Sequence, residues 1–329
     1  MGRHKKIVED KKELNKKDIK FVQKELIETK IELTKEQKEK LEKLNKVVNE
    51  WNRERKDAQI KFAKDEPDKE RLPFGNKRID ELTGNGGVAG NFIIIWGGES
   101  VGKSTLCLMQ VAEAQKRGKI CAYIDLEHSF DKNRALLFNV NLEELLLIEN
   151  CDSAEDAMDI VIRLAKEKVV DLVIIDSIQA MTPKAESESK KGKERSMLDD
   201  DIALLAKKMG KFIRRTATPI YKAKLGITLV GQSRTGGIGS FATHEELTGG
   251  RAQKHWSLLT LFMRTGTSSD APTEKVDTGE VDENNKSIKV DMKIGFDCVI
   301  SIQKTKTSSK PQHSDIHIPY YFKLGFYND

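Results

Sequence analysis

Residues 97–105 read GGESVGKST, which sets Gly97, Gly102, Lys103 and Ser104 in the pattern G-x-x-x-x-G-K-[ST]. Glycines at these positions let backbone N–H groups turn inward around phosphate oxygens, and a helix opening at Lys103 adds the positive end of its dipole. Lys103 is placed to neutralise β- and γ-phosphates, and the Ser104 hydroxyl to ligate Mg2+. Glu99, Ser100 and Thr105 complete the cradle. An apolar run, FIIIW (92–96), precedes it and a helical pattern (103–117) follows, the context a phosphate loop needs. The stretch predicts a nucleotide site.

Three further strand ends carry polar groups suited to that site. DLVIIDS (171–177) closes on Asp176, a carboxylate positioned as the second anchor of Mg2+; Ser177 either orders the metal's water or caps the turn. YIDLEHSFD (123–131) holds Asp125, Glu127 and Asp131. Nucleoside triphosphate hydrolysis needs a group to orient and deprotonate water, and Glu127 is the candidate base, against the alternative of an ordinary helix N-cap cluster. GQSR (231–234) ends a further strand on Gln232, whose amide is placed to sense a γ-phosphate, and a glycine-rich stretch to residue 250 hangs from it. So long a loop is seldom kept without a use.

The elements that must hold these residues follow from periodicity. Short runs rich in β-branched residues, FIIIW (92–96), ICAYID (120–125), LLLIE (145–149), DLVIIDS (171–177) and GITLVG (226–231), alternate with helical spacing at 103–117, 153–167 and 198–215. Strands buried on both faces alternating with helices predict a parallel sheet of βαβ units. The runs at 258–264, 297–303 and 316–322 have no helices between them and predict antiparallel strands added to one side of it. Residues 266–290, polar and turn-rich, predict an exposed hairpin.

Residues 1–71 differ from the rest. Residues 1–70 hold 21 Lys/Arg, 17 Asp/Glu, one glycine and one proline, a composition that favours helix. Leu41, Leu44, Val48 and Trp51 share one face. So thin a stripe needs a partner surface to stay ordered, which predicts a solvated extension, a subunit-docking arm or a basic nucleic-acid arm. The whole chain carries 57 cations against 52 anions, so only local clustering would make its surface bind a polyanion. Cys107, Cys121, Cys151 and Cys298 form no close pairs and read as reduced thiols, as suits a cytoplasmic protein. His313 and His317 have ligand-like spacing without a cysteine pair beside them, which argues against zinc. The chain shows neither a signal peptide nor a membrane-spanning run.

The order GGESVGKST, IDLEHSFD, VDLVIIDSIQAMTPKAE, GQSR and a glycine-rich stretch closing on TGG resembles the bacterial RecA recombinases and their phage relatives over roughly residues 72–326. The resemblance implies a RecA-like P-loop ATPase core of α/β class, its parallel sheet extended by antiparallel strands, behind a charged helical extension (1–71). It implies ATP and Mg2+ as ligands, with Glu127 as catalytic glutamate, Gln232 linking γ-phosphate to DNA, and Asp131 and Arg134 beside the base. Lys304 and Lys306 match lysines that reach a neighbouring subunit's ATP. Residues 187–197, with Arg195, Ser196 and Met197, match a first DNA-binding loop. Residues 233–250 match a second, in which Arg234, Gly236, Gly237, Ile238, Phe241, Gly249 and Gly250, with Arg251 just beyond, face the strand.

The departures are specific. Arg134 stands where the family usually stacks a tyrosine on adenine; a guanidinium plane stacks too, but base selectivity changes. The helical segment 198–224 carries extra residues (RRTATPIYKAKLG), and no C-terminal duplex-gating domain is expected. The resemblance implies a DNA-dependent ATPase that forms filaments on single-stranded DNA and pairs it with homologous duplex. A ring-helicase motor and a non-recombinogenic DNA-binding regulator are the alternatives.

Overall fold

The computed structural model describes residues 33–55, 60–151, 153–181, 202–236, 244–247, 251–267, 269, 271–281, 287–307 and 310–328. The chain divides into two units between Asp68 and Lys69. In the first, α1 (Lys35–Glu54) opens on a capping box: Gln37 N donates to Thr34 Oγ1 (3.3 Å) and Thr34 N to Gln37 Oε1 (2.8 Å). Lys40 pairs with Glu36 one turn away, and the Arg55 guanidinium lies 4.8 Å from the Trp51 ring centroid. No residue of α1 is buried, and Leu44 and Trp51 of the apolar stripe are exposed.

The second unit is an α/β sandwich. In chain order its elements are β1 (Arg71–Leu72), α2 (Lys77–Thr83), β2 (Gly87–Val88), β3 (Phe92–Gly97), α3 (Lys103–Lys116), β4 (Cys121–Asp125), α4 (Lys132–Leu137), β5 (Leu145–Ile148), α5 (Ala154–Glu167), β6 (Leu172–Asp176), α6 (Ile202–Ala223), β7 (Gly226–Gly236), β8 (His244–Leu247), α7 (Arg251–Trp256), β9 (Leu259–Thr265), β10 (Thr273–Val281), β11 (Ser287–Lys293), β12 (Gly295–Thr305), β13 (Asp315–Tyr321) and β14 (Gly325–Phe326). The main sheet runs β14-β13-β12-β9-β3-β7-β6-β4-β5, with β8 paired to β7.

Alternation of side chains along β3 feeds two core layers. Ile93 and Ile95 join α2 and α3 residues such as Ile79, Leu106 and Val111; Phe92, Ile94 and Trp96 join Met158 and Val161 of α5 and Met209 and Phe212 of α6. A buried polar pair is satisfied within this frame: Thr228 Oγ1 donates to Gln110 Oε1 (2.8 Å), and Gln110 Nε2 to Leu72 O (3.3 Å).

Three expectations need correction. The run 258–264 forms β9, which is parallel to β3 and antiparallel to β12, so only β12, β13 and β14 make the antiparallel extension. Six-residue α7 returns the chain before β9 and is too short to show a helical period in the sequence. Second, the helical spacing read over 198–215 runs on to Ala223 in α6, within the longer helical segment 198–224, with Pro219 inside it. Burial of Thr216 and Ile220 against the sheet holds that turn despite the missing N–H. Third, 233–250 is not wholly loop: Ser233–Gly236 of β7 pairs with His244–Leu247, placing Arg234 opposite Glu246. The expected hairpin lies slightly later, as β10 and β11 in their own two-stranded sheet, with Lys275 opposite Asp291 and Asp277 opposite Lys289.

Asp80 of α2 ties the turn before its helix by accepting from Phe74 N (2.7 Å) and Gly75 N (3.1 Å). Burial outweighs those two bonds and pushes its carboxyl up to about 6. The folded state therefore holds this proton more tightly than the unfolded chain does, and the stability it lends, full below about pH 4, is lost as pH rises through about 6. Asp80→Asn should flatten the fall in melting temperature across that window; an unchanged slope would acquit Asp80.

Candidate nucleotide-binding and catalytic site

The C-terminal ends of parallel strands β3, β4, β6 and β7 converge on one edge of the sheet, where open α/β sheets place their ligands. A cleft of about 670 Å³ opens there, lined by Glu99, Ser100, Gly102, Lys103, Ser104, Thr105, Glu127, Arg134, Asp176, Gln232, Phe296, Tyr320 and Phe322. Gly97 closes β3, and the loop after it turns through Ser100 (φ 55°) and Gly102 (φ 92°) into α3. A Cβ at Gly102 would lie 2.8 Å from the rings of Tyr320 and Phe326, so the loop's path and the wall facing it both require glycine.

Lys103 is almost fully buried. Its ammonium donates to the carbonyls of Gly97 (3.3 Å) and Gly98, inside the loop it belongs to. Desolvation lowers its pKa, while Asp176, Glu127 and Glu99 act to raise it. Asp176, 2% exposed, accepts from Tyr123 OH (2.7 Å) and from the Ser104 hydroxyl. Burial raises its pKa, Tyr123 and Ser104 hold it down, and Glu127 and Asp125 raise it further.

Glu127 receives two donors on Oε1, the Ser177 hydroxyl and Gln232 Nε2 (3.2 Å). The β4 turn that presents it is set by Asp125, which is fully buried and accepts from Glu127 N (3.2 Å) and Phe130 N (2.7 Å). Gln232 sits on β7 directly after Gly231. A Cβ at Gly231 would lie 2.4 Å from Leu247 Cδ1, so this glycine seats β8's buried leucine beside the cleft.

Arg134 closes the opposite end. Its Nη2 donates to Thr105 Oγ1 (3.1 Å) and to Tyr320 OH, and its Nη1 to Phe322 O (3.2 Å); its guanidinium lies 5.6 Å from the Phe138 ring centroid. Tyr320 stacks on Phe296 (centroids 4.7 Å apart) and its hydroxyl lies 2.9 Å from Thr105 Oγ1. The structure thus brings Glu99, Ser100, Gly102, Lys103, Ser104, Thr105, Glu127, Arg134, Asp176 and Gln232 to one cleft.

Other residues singled out from the sequence lie elsewhere. Asp131 caps α4, accepting from Asn133 N (2.8 Å) and Arg134 N (3.3 Å). Lys304 donates to Lys254 O and His255 O (2.7 Å) at the end of α7; burial and then Lys306 lower its pKa. Lys306 holds β12 to Leu258 O through its backbone N–H (2.9 Å). Arg234 and Gly236 belong to β7 and Arg251 opens α7. Arg195, Ser196, Met197, Gly237, Ile238, Phe241, Gly249 and Gly250 lie outside the described residues. Tyr123, Phe296, Tyr320 and Phe322 were missed. Tyr123, polar-tipped in the apolar run ICAYID, and the aromatic cluster IPYYF were the available signals.

The donor set fits a Mg2+-bound nucleoside triphosphate. A glycine loop at a helix N-terminus, a buried lysine bonded to loop carbonyls and a carboxylate hydrogen-bonded to a serine hydroxyl are what phosphates and a hard cation take as ligands. Ser104 and Asp176 would hold the metal, and Lys103 the phosphates. Among the described residues no cluster of three or more His, Cys, Asp or Glu makes a protein-only metal cage.

Tyr123→Phe removes the donor that Asp176 Oδ2 uses. It should cost about 1–2 kcal/mol in urea denaturation and weaken Mg2+-dependent nucleotide affinity. Stability and affinity equal to wild type would show that the hydroxyl does not support Asp176.

Residues 42–320 match the RecA N-terminal domain family. The match begins within α1, some thirty residues before the resemblance read from the motifs. Among curated relatives, Protein RecA of Mesoplasma florum is 36% identical over 227 residues, covering 69% of this chain and 64% of the relative. Protein RecA of Mycoplasma mobile is 38% identical over 219 residues (66% and 62%), and Protein RecA 2 of Myxococcus xanthus 36% over 209 (62% and 56%). The matches span about three fifths of these relatives' lengths. No described helix is long and apolar enough to cross a membrane. With a phosphate loop, a buried carboxylate and a Gln–Glu pair on consecutive strand ends of a mostly parallel sheet, and with that match over most of its length, the chain belongs to the RecA family.

Proposed function

We propose that the chain is a Mg2+-dependent, DNA-stimulated ATPase of homologous recombination. It assembles as a filament on single-stranded DNA in the bacterial or phage-infected cytoplasm and pairs that strand with homologous duplex. The carrying observation is the Gln232–Glu127 hydrogen bond, because β7 continues from Gln232 straight into the paired arm of β7 and β8. A group that faces the reacting phosphate is thereby one residue from an arm suited to hold DNA.

In this reading Lys103 exchanges the Gly97 and Gly98 carbonyls for phosphate oxygens, a short movement that keeps its charge in place. Mg2+, when bound, neutralises phosphate charge. Thr105 and Arg134 border the nucleoside end, where Tyr320, Phe296 and Phe322 offer ring faces. Glu127 takes a proton from the water whose oxygen attacks the γ-phosphorus, while the bond to the bridging oxygen breaks to leave ADP and phosphate. Ser177 and Gln232 keep the Glu127 carboxylate aimed. Gln232 turns its amide toward the γ-phosphate when a triphosphate is present and back to Glu127 when it is not, shifting the root of the arm.

Lys304 and Lys306 are cations offered to a neighbouring subunit's nucleotide. Lys304 must first release the α7 carbonyls, which links turnover to assembly. Residues 187–197 and 233–250, with Arg234 and Arg251, form the DNA-facing surface, held by backbone N–H groups and cations rather than by base-reading side chains.

Lys103→Ala should abolish nucleotide binding, whereas Glu127→Gln should bind normally and hydrolyse on the order of 10²–10⁴-fold more slowly. Equal loss of binding in both would overturn the assignment. Wild-type turnover should rise with single-stranded DNA and accompany strand exchange between homologous oligonucleotides. Directional unwinding instead of exchange would make it a motor, and stimulation without exchange a non-recombinogenic binder.

A further inference from the structure

Helix α6 carries six Lys or Arg residues, Lys207, Lys208, Lys211, Arg214, Arg215 and Lys222, and no Asp or Glu. Its Leu205, Met209, Phe212, Ile213, Thr216 and Ile220 are buried against the sheet, so the cations fall within one outward arc. Lys208 and Arg215 turn toward α5, where they pair with Glu155 (2.5 Å) and Asp159 (3.8 Å). Lys207, Lys211 and Arg214 repeat at i, i+4 and i+7 and make no ion pair among the described residues. With exposed Lys222 they form a row about 22 Å long at the rise of an α-helix.

The direction of the row is fixed by topology. α6 feeds β7 at Gly226, so its C-terminal end lies where the parallel strands begin and its N-terminal end lies where they finish, at the edge that holds Asp176 and Gln232. The row therefore leads from the cleft edge across the outer face of the sheet.

We propose that this row is a contact surface for the phosphate backbone of duplex DNA, separate from the two loops. The proposal rests on the reading above that the chain binds DNA. Charge complementarity points to a polyanion: the exposed members Lys207, Lys211, Arg214 and Thr218 offer no apolar anchor, and the helix's exposed ring, Tyr221, stands only at its C-terminal end beside Lys222. From Lys207 to Arg214 the exposed cations follow one another with no exposed ring between them, which matches backbone contact, whereas single-strand grooves interleave cations with stacking rings. The overall charge, near balance, conceals the cluster because the neutralising acids lie on other elements.

The test is fluorescence anisotropy of the full chain on a short duplex and on a single strand of equal length, across a salt series. Lys211→Gln/Arg214→Gln should lower the duplex log K against log salt slope by roughly two and duplex affinity by on the order of tenfold at about 0.1 M salt. Single-strand affinity should be unchanged, and Lys211→Arg/Arg214→Lys should restore the duplex slope. An unchanged duplex slope, equal losses on both DNA forms, or a charge-conserving variant as weak as the Gln variant would overturn the proposal. So would displacement of bound polyglutamate by the mutations with duplex binding intact, which would mark an acidic-protein site. A wild type that binds neither DNA form sinks the function reading and this proposal together; one that binds single strands while the Gln variant keeps its duplex slope sinks this proposal alone.

Discussion

Asp176 is a carboxylate set at the end of a strand that is otherwise aliphatic, and the site depends on how the fold tolerates it. Burying such a group is costly unless hydrogen bonds and an opposite charge are brought to it. Tyr123 comes from the adjacent strand, Ser104 from the first turn of α3, and Lys103 from the same turn. Each fixes one neighbour: Tyr123 the β4–β6 register, Ser104 the approach of α3, and Lys103 the path of the glycine loop. An apolar residue at 176 would relieve the cost and remove the reason for the arrangement.

The two ends of the cleft are built differently. Toward Lys103, polar groups come from strands and the turns after them: Asp176 ends β6, Gln232 lies within β7, and Glu127 stands two residues beyond β4 in the turn that Asp125 holds by accepting backbone bonds. At the other end, Arg134 spans helix α3 and the last strands, so its guanidinium acts as a strut as much as a surface. That geometry differs from a freely stacking plane, since the donors are spent on Thr105, Tyr320 and Phe322.

Where the cleft is lined by consecutive residues or by strand ends, its lining was legible in the sequence. FIIIW before GGESVGKST, YIDLEHSFD, DLVIIDS and ITLV before GQSR each join an apolar run to polar residues that follow it, and the cleft gathers Lys103, Glu127, Asp176 and Gln232 from them. What stayed hidden needs three dimensions. Phe296 and Tyr320 come from strands whose sequences show only apolar alternation, and their meeting is a matter of β12–β13 register. Strand direction was equally silent: LLTLFMR reads the same whether parallel or antiparallel to β3, and only α7 decides it. The short ladder of HEEL against SRTG was masked by the glycines around it. Asp131, close in sequence to the site, has its Oδ1 occupied in capping α4.

The contact between Thr105 and Tyr320 joins residues 215 positions apart, and Phe326 closes on Gly102 from still further along. A chain emerging from the ribosome therefore presents its phosphate loop well before the wall that faces it. Until β13 and β14 are made and paired, the cleft lacks the Tyr320 and Phe322 rings and the glycine loop lacks the Tyr320 and Phe326 rings that face Gly102. The cleft is therefore complete only once the sheet is paired as far as β14. Closing so long a span costs loop entropy that the pairing of β13 with β12 must offset, and until then that edge of β12 is unpaired.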